Sequence, residues 1–277
     1  MKADHWLAEA SKTLTAAGIS TARLDALVLL EDETSKDRSW LLAHPELELG
    51  EHQIKELARY IKRRVGHEPL AYIRNKTEFY GREFYINHQV LEPRPESETM
   101  IDALKGLPIA SKSILLDIGT GSGALAITAI LETHCPRVFA TDIDPSCLNV
   151  AKKNAKTLGA EVVFLQGSLL EPFQHNKELH IHKPYIVLAN LPYVPDDFQI
   201  NEAAMTEPRI AIFGGKDGLD LYRKLFRQLH NCGIPPAYVL TEAMPPQHEE
   251  LAKIAKSNGF NQYKNDDFIE IFMPTKA

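Results

Sequence analysis

Cysteine is scarce in this chain. Cys135, Cys147 and Cys232 are odd in number, scattered, and without the spacing of metal ligands. That argues against a disulfide-stapled secreted scaffold and for a reduced, cytoplasmic protein. Long apolar runs are missing too. No stretch could span a bilayer, and the opening "MKADHWLAEASKTL" has no signal-peptide core, so neither membrane association nor export is expected. Excess positive charge is absent, with a net charge of −6 and a pI of about 6.0. Indiscriminate nucleic-acid binding is thereby disfavoured, while a local basic patch is still allowed. No internal repeat or low-complexity tract occurs.

What is present is an ordinary globular composition, 44% hydrophobic and 25% charged. Over 277 residues this supplies a sizeable core and enough length for two domains. The first 75 residues carry no strand signal. Trp6, Leu7, Ala10, Leu14 and Ala17 recur at helical spacing until Gly18. "TARLDALVLLEDE" comes next, with Thr21 as its expected cap. "ELGEHQIKELARYIKRRVGHEP" predicts a further strong helix that stops near Gly66 and Pro69.

The period then changes. "TEFYGREFYINHQV" alternates around Gly81, a hairpin signal, and the two prolines of "LEPRPESE" stiffen the connection after it. From residue 113 strands and helices alternate. "SILLDI", "RVFATDI", "EVVFLQ", "YIVLAN", "AYVLTEA" and "DFIEIFM" read as strands, with helices from about 122, 145, 217 and 246. Such alternation implies an α/β fold, a mostly parallel sheet wrapped on both faces, with the direction of the last strand open.

Two constellations carry the chemistry. "LLDIGTGSGALAIT" puts Gly119, Gly121 and Gly123 between a strand and a helix, where glycines let a ligand approach the backbone. Asp142 ends the next strand, 19 residues after Gly123, where a carboxylate can take both hydroxyls of a ribose. The spacing also satisfies a loose dinucleotide fingerprint, so glycines alone do not reject NAD. Charge discriminates better. Asp117, two residues before Gly119, would repel a pyrophosphate but suits the ammonium of S-adenosylmethionine, whose sulfonium is also cationic.

The second constellation is "VLANLPYVPDD", in which a strand runs into Asn190, Leu191, Pro192 and Tyr193. In open α/β sheets ligands bind beyond the carboxyl ends of the strands. A planar NH2 group is a poor nucleophile because its lone pair is conjugated. Acceptors on both N–H bonds favour the rehybridised form, and the Asn190 side-chain oxygen and the Leu191 carbonyl can be those acceptors. The Tyr193 ring offers a face for the substrate's planar group. Such preorganisation could carry most of the rate with no metal and no covalent intermediate.

Asn-Leu-Pro-Tyr resembles the Asn-Pro-Pro-Tyr signature of methyltransferases acting on planar amino or amide nitrogens. "HEPLAYIRNKTEFYGREFYINHQVLEPRPESE", "LLDIGTGSGALAI", "ANLPYVPDD" and "EPRIAIFGGKDGLDLYRKL" are together similar to the peptide-chain-release-factor glutamine methyltransferases. The resemblance covers essentially the whole chain. It implies a helical substrate-recognition domain over 1–74, a β-hairpin linker over 75–95, and a Rossmann-like class I methyltransferase domain over 96–277 with a seven-stranded, mostly parallel sheet. It implies methyl transfer from S-adenosylmethionine, leaving S-adenosylhomocysteine, to the amide nitrogen of the glutamine in the Gly-Gly-Gln loop of class I release factors. Asn190, Leu191, Pro192 and Tyr193 would be catalytic and, with Arg94, would touch the substrate. Asp117, Gly119, Thr120, Gly121, Ser122, Gly123, Asp142, Ile143, Ser168, Leu169 and Asn190 would surround the donor.

Two positions depart from the family pattern. Leu191 stands where proline is usual; it keeps the carbonyl, and Pro192 after it still favours extended backbone. Ser168 and Leu169 stand where an acid and an aromatic are common, so a hydroxyl and an apolar side chain would hold the adenine. The same tetrapeptide occurs in ribosomal-RNA adenine dimethyltransferases, but these would put the catalytic domain first. Residues 76–277 also carry 20 basic against 25 acidic side chains, which favours a protein substrate over nucleic acid. A catalytically silent binding module is the third reading.

Smaller signals are weaker. Arg59, Lys62, Arg63 and Arg64 suit a solvated helix face or a release-factor contact. His175, His180 and His182 have no nearby cysteine, and no metal is expected. Glu207 and Pro208 either shape the substrate mouth or return the chain to the next helix. Glu242 ends a strand, but no general base is required, and it receives no role. A monomer is the default.

Overall fold

A computed structural model gives the fold. It describes residues 1–109, 113–133, 135–174, 184–200 and 204–275. The chain divides into two compact units, one holding Met1–Lys76 with Ile200 and Ala204–Thr206, the other the remainder.

The first unit is helical: α1 (Ala3–Ala16), α2 (Ala22–Thr34), α3 (Arg38–Ala43), α4 (Glu51–Val65) and α5 (Leu70–Arg74). Trp6, Leu14, Leu27, Leu30, Leu41, Leu57 and Ile73 meet in its core, which is why the apolar residues recur at helical spacing. Thr21 occupies the cap position of α2 yet makes no side-chain capping bond, whereas Asp37 caps α3 by accepting from Trp40 N at 2.8 Å. Pro69 does not merely end α4; it opens the short α5. The arginines of α4 are largely committed within the unit. Arg64 Nε donates to the buried Asp25 at 2.7 Å, Arg63 forks onto Glu68, and Arg59 pairs with Glu56. Arg63 and Arg64 are therefore part of structural ion pairs, whereas Arg59 and Lys62 lie on the exposed face of the helix.

The hairpin β1 (Lys76–Phe79) and β2 (Arg82–Tyr85), turned at Tyr80–Gly81, follows, and the second unit begins within it at Thr77. A 3-10 turn at Pro95–Ser97 leads into α6 (Glu98–Lys105), a helix the proline-rich reading of this segment did not place. The sheet strands are β3 (Ile114–Ile118), β4 (Arg137–Asp142), β5 (Val162–Gln166), β6 (Tyr185–Ala189), β7 (Tyr238–Glu242), β8 (Phe260–Asp266) and β9 (Ile269–Pro274). The helices are α7 (Ala124–Glu132), α8 (Pro145–Leu158), α9 (Glu171–Gln174), α10 (Asp220–Asn231) and α11 (His248–Ser257). Strand order is β5-β4-β3-β6-β7-β9-β8, parallel from β5 to β7, with β9 antiparallel to both its neighbours. The final strand thus enters antiparallel. β8 is the seventh strand, for which no residues were expected.

Every residue of β6 is buried, as suits a central parallel strand covered on both faces. One apolar layer contains Leu115, Ile127, Ile186 and Leu240, the other Leu116, Val187, Phe226 and Phe272. The chain builds β3, β4 and β5 outward in one direction, then returns to lay β6 against the other side of β3. This reversal sets the loops after β3 and β6 side by side at the carboxyl edge.

Candidate active site

The loop after β3 is organised by two carboxylates. Asp117 is buried, and its Oδ2 accepts from Thr120 Oγ1 at 2.6 Å and Ala126 N at 3.1 Å. Its Oδ1 is buried with no partner among the described residues. Burial pushes this carboxyl up to about 7, against the pull of its two hydrogen bonds. Asp142, at the end of β4, accepts from Gly121 N at 2.9 Å and Asp144 N at 3.0 Å, and burial raises it too. Neither forms an ion pair with a lysine or arginine among the described residues. Two carboxyl groups without a cationic partner, at the carboxyl ends of the neighbouring strands β3 and β4, make a site for positive charge.

The loop after β6 is held from below and behind. Asn190 Nδ2 donates to Ser97 Oγ at 2.9 Å and Glu242 Oε2 at 3.0 Å. Ser97 Oγ donates to the same Glu242 oxygen at 2.6 Å, and Tyr193 Oη donates to Glu242 Oε1 at 3.0 Å. Burial, and then the neighbouring Glu242, lift the Tyr193 phenol far above its ordinary range, so it stays a donor. The buried Tyr222 of α10 sits under the loop. Its hydroxyl accepts from Leu191 N at 3.2 Å and reaches the carbonyls of Glu242 and Ala189. Among the described residues, nothing donates to Asn190 Oδ1 or to the Leu191 carbonyl.

The two loops touch through Leu191. Its side chain is 2% exposed and belongs to the core layer that contains Leu116. A Cβ on Gly119, which has φ +76°, would lie 3.0 Å from Leu191 Cδ2. A glycine is needed there for its conformation and also for the leucine that replaces proline. Beyond Tyr193, Val194 bridges Phe213, and Gln247 Nε2 ties the Tyr193 and Asp217 carbonyls at 2.7 and 2.8 Å.

Gly119, Thr120, Gly121, Ser122, Asn190, Ser97 and Arg94 line one cleft. Gly123 lies against Ala151 of α8. Ile143, next to Asp142, is 57% exposed. Ser168 and Leu169 are placed differently from the rest. Ser168 Oγ accepts from Lys224 Nζ at 2.8 Å, and the Leu169 side chain is buried in the core. Arg94 spends its guanidinium on Glu207, which is 4% exposed and also accepts from Glu92 N at 3.4 Å. Glu207 thus braces the cleft lip through Arg94.

Residues 5–74 match the family described as PrmC N-terminal domain, and residues 97–191 the family described as Ribosomal protein L11 methyltransferase (PrmA). A release factor glutamine methyltransferase of Moorella thermoacetica is 36% identical over 268 residues, spanning 95% of this chain and 92% of that protein. The chain belongs to the release factor glutamine methyltransferase family. A second member, from Bacillus subtilis, is 37% identical over 228 residues, 79% of this chain and 77% of that protein. The fold is similar, over 72% of this chain, to that of a methyltransferase from Pyrococcus furiosus, 91% of which is covered, with a TM-score of 0.50 at 16% identity.

For a member of this family, sequence reasoning missed Ser97 and the engagement of Glu242. Ser97 lies in the "LEPRPESE" stretch that carries the resemblance, but nothing there points to Asn190, 93 residues away. Glu242 was legible as a strand-end carboxylate, but its partners were not. His175, His180 and His182 lie outside the described residues. Among the described residues, no cluster of three or more His, Cys, Asp or Glu could hold a metal, and no helix is long and apolar enough to cross a membrane.

Proposed function

We propose that the protein methylates the side-chain amide nitrogen of the glutamine in the Gly-Gly-Gln loop of class I release factors, with S-adenosylmethionine as donor. The observation that carries this reading is the pair of unengaged acceptors, Asn190 Oδ1 and the Leu191 carbonyl, beside a pair of carboxyl groups without a cationic partner among the described residues. The residues present fit the donor. Asp117 offers an orphaned buried oxygen to an ammonium, Asp142 lies at the strand end suited to a ribose, and exposed Ile143 suits an adenine face. A pyrophosphate would meet two carboxyl groups here, neither paired with a cation among the described residues.

S-adenosylmethionine supplies a methyl group on a positively charged sulfur, which leaves as a neutral thioether when the amide nitrogen takes the methyl. The protein's part is to hold that nitrogen. Asn190 Oδ1 and the Leu191 carbonyl accept its two N–H bonds, which turns its lone pair out of conjugation and toward the cleft. The Tyr193 ring, pinned at its hydroxyl, packs on the amide plane. The methylated nitrogen is acidic and releases one proton to water, restoring a neutral amide. The helical unit supplies recognition of the release factor.

Mass spectrometry of a purified release factor, incubated with the protein and donor, should find one added methyl on the Gly-Gly-Gln glutamine. Asn190→Ala should abolish that product while calorimetry still detects donor binding. An unmodified glutamine with the wild-type protein would reject the substrate. Undiminished turnover by the variant would reject the role of Asn190.

A further inference from the structure

Glu242 lies at the end of β7, fully buried, beside the loop that carries Asn190. We propose that ionised Glu242 is the positioning residue of the transfer, holding the Asn190 amide with its oxygen rather than its nitrogen toward the cleft. The inference deepens the proposed methyl transfer and rests on it for its kinetic readout.

Donors and acceptors fix the orientation. Ser97 Oγ gives its only proton to Glu242 Oε2, so toward Asn190 it can only accept. Glu242 Oε2, when ionised, also can only accept. Both groups behind Asn190 therefore demand its NH2, and the oxygen must face forward. Three donors, from Ser97, Asn190 and Tyr193, converge on two carboxylate oxygens and leave no need for a proton. A protonated Glu242 would present a donor instead. The amide could then turn over and aim its NH2 at the substrate's N–H bonds, donor against donor.

The groups facing Glu242 come from every side. Glu96 and Ser97 belong to the turn before α6, Asn190 and Tyr193 to the loop after β6, and Tyr222 to α10. His248 of α11 sits 3.3 Å from the next carbonyl, Ala243, and Glu270 of β9 lies opposite Thr241. Burial lifts the Glu242 carboxyl above its usual range, while the Ser97, Tyr193 and Asn190 hydrogen bonds pull it back. Methyl transfer should therefore rise with pH as Glu242 ionises.

The test uses the full-length protein. Glu242→Gln should lower kcat roughly 10²-fold, with donor affinity held within about twofold because Glu242 is buried behind Asn190 and does not line the cleft. The low-pH inflection of kcat should vanish. Ser97→Ala should keep that inflection but move it to higher pH, since a bond to the charged form is lost. A loss of packing alone would depress turnover at every pH and leave the inflection where it was.

A second readout needs no methyl acceptor. The Asn190 side-chain amide signals, assigned in 15N-labelled protein by their loss in Asn190→Ala, should titrate with pH and cease to do so in Glu242→Gln. If the wild type leaves release factors unmodified, the substrate assignment fails while these signals still decide the role of Glu242. An inflection retained in Glu242→Gln, or amide signals that the substitution does not change, would overturn the proposal.

Discussion

Asp117 sets folding against function within a single side chain. Its carboxyl stands at about 7 in the folded protein against an ordinary 3.8. Between those values the folded state holds a proton that the unfolded chain has lost. The stability it confers is therefore present below about pH 4, falls as pH rises through the window, and is gone above about pH 7. Asp117→Asn keeps an acceptor for Thr120 and Ala126 and removes the buried charge. The donor-free variant should be more stable than wild type above pH 7 in urea denaturation, by up to about 4 kcal/mol less a cost of about 1–3 kcal/mol for burying an unpaired asparagine NH2. Calorimetric titration should show its donor binding weakened by ~10²-fold, because the ammonium loses its counter-charge. For the wild type, donor affinity should strengthen between pH 6 and 8 as Asp117 ionises. Equal stability of variant and wild type above pH 7 would contradict the buried-charge assignment.

At the scale of elements, the loop after β6 is shaped by what lies against it. Gly218 has φ +80°, and a Cβ there would collide with the Tyr193 carbonyl, so the 214–218 segment can close on the loop only without side chains at such contacts. Tyr222 supplies the other restraint. Tyr222→Phe leaves the Leu191 N–H and a strand-end carbonyl buried and unpaired, a loss of about 1–3 kcal/mol in urea denaturation. Turnover should fall with it, because the Leu191 carbonyl drifts, while donor titration stays near wild type. Full stability in the variant would mean that the hydroxyl is not what holds the loop. These contacts were invisible in sequence because their partners are 20 to 54 residues apart. The strands were easier where burial is complete. β6 reads plainly from "YIVLA", whereas β8, "FNQYKND", has one buried residue followed by six exposed ones and offers no apolar pattern.

At the scale of the whole molecule, net charge and the placement of basic side chains bear on the choice of partner. A net of −6 and arginines on α4 committed to Glu56, Glu68 and Asp25 leave little for a phosphate backbone. Titration with structured RNA at low salt should therefore give weak binding with a shallow salt dependence. Tight binding that falls steeply with salt would revive an RNA substrate. The sequence by itself determined a helical segment ahead of an alternating α/β region, a glycine turn after its first strand and an Asn-Leu-Pro-Tyr loop after its fourth. Those are local matters of period, turn chemistry and charge, complete within a short stretch of chain. Only the tertiary structure decided that β6 returns beside β3, that Leu191 seats itself on Gly119, and that Ser97 and Glu242 meet behind Asn190. Such meetings depend on strand order and on which buried donors still want an acceptor, and neither is written in any one segment.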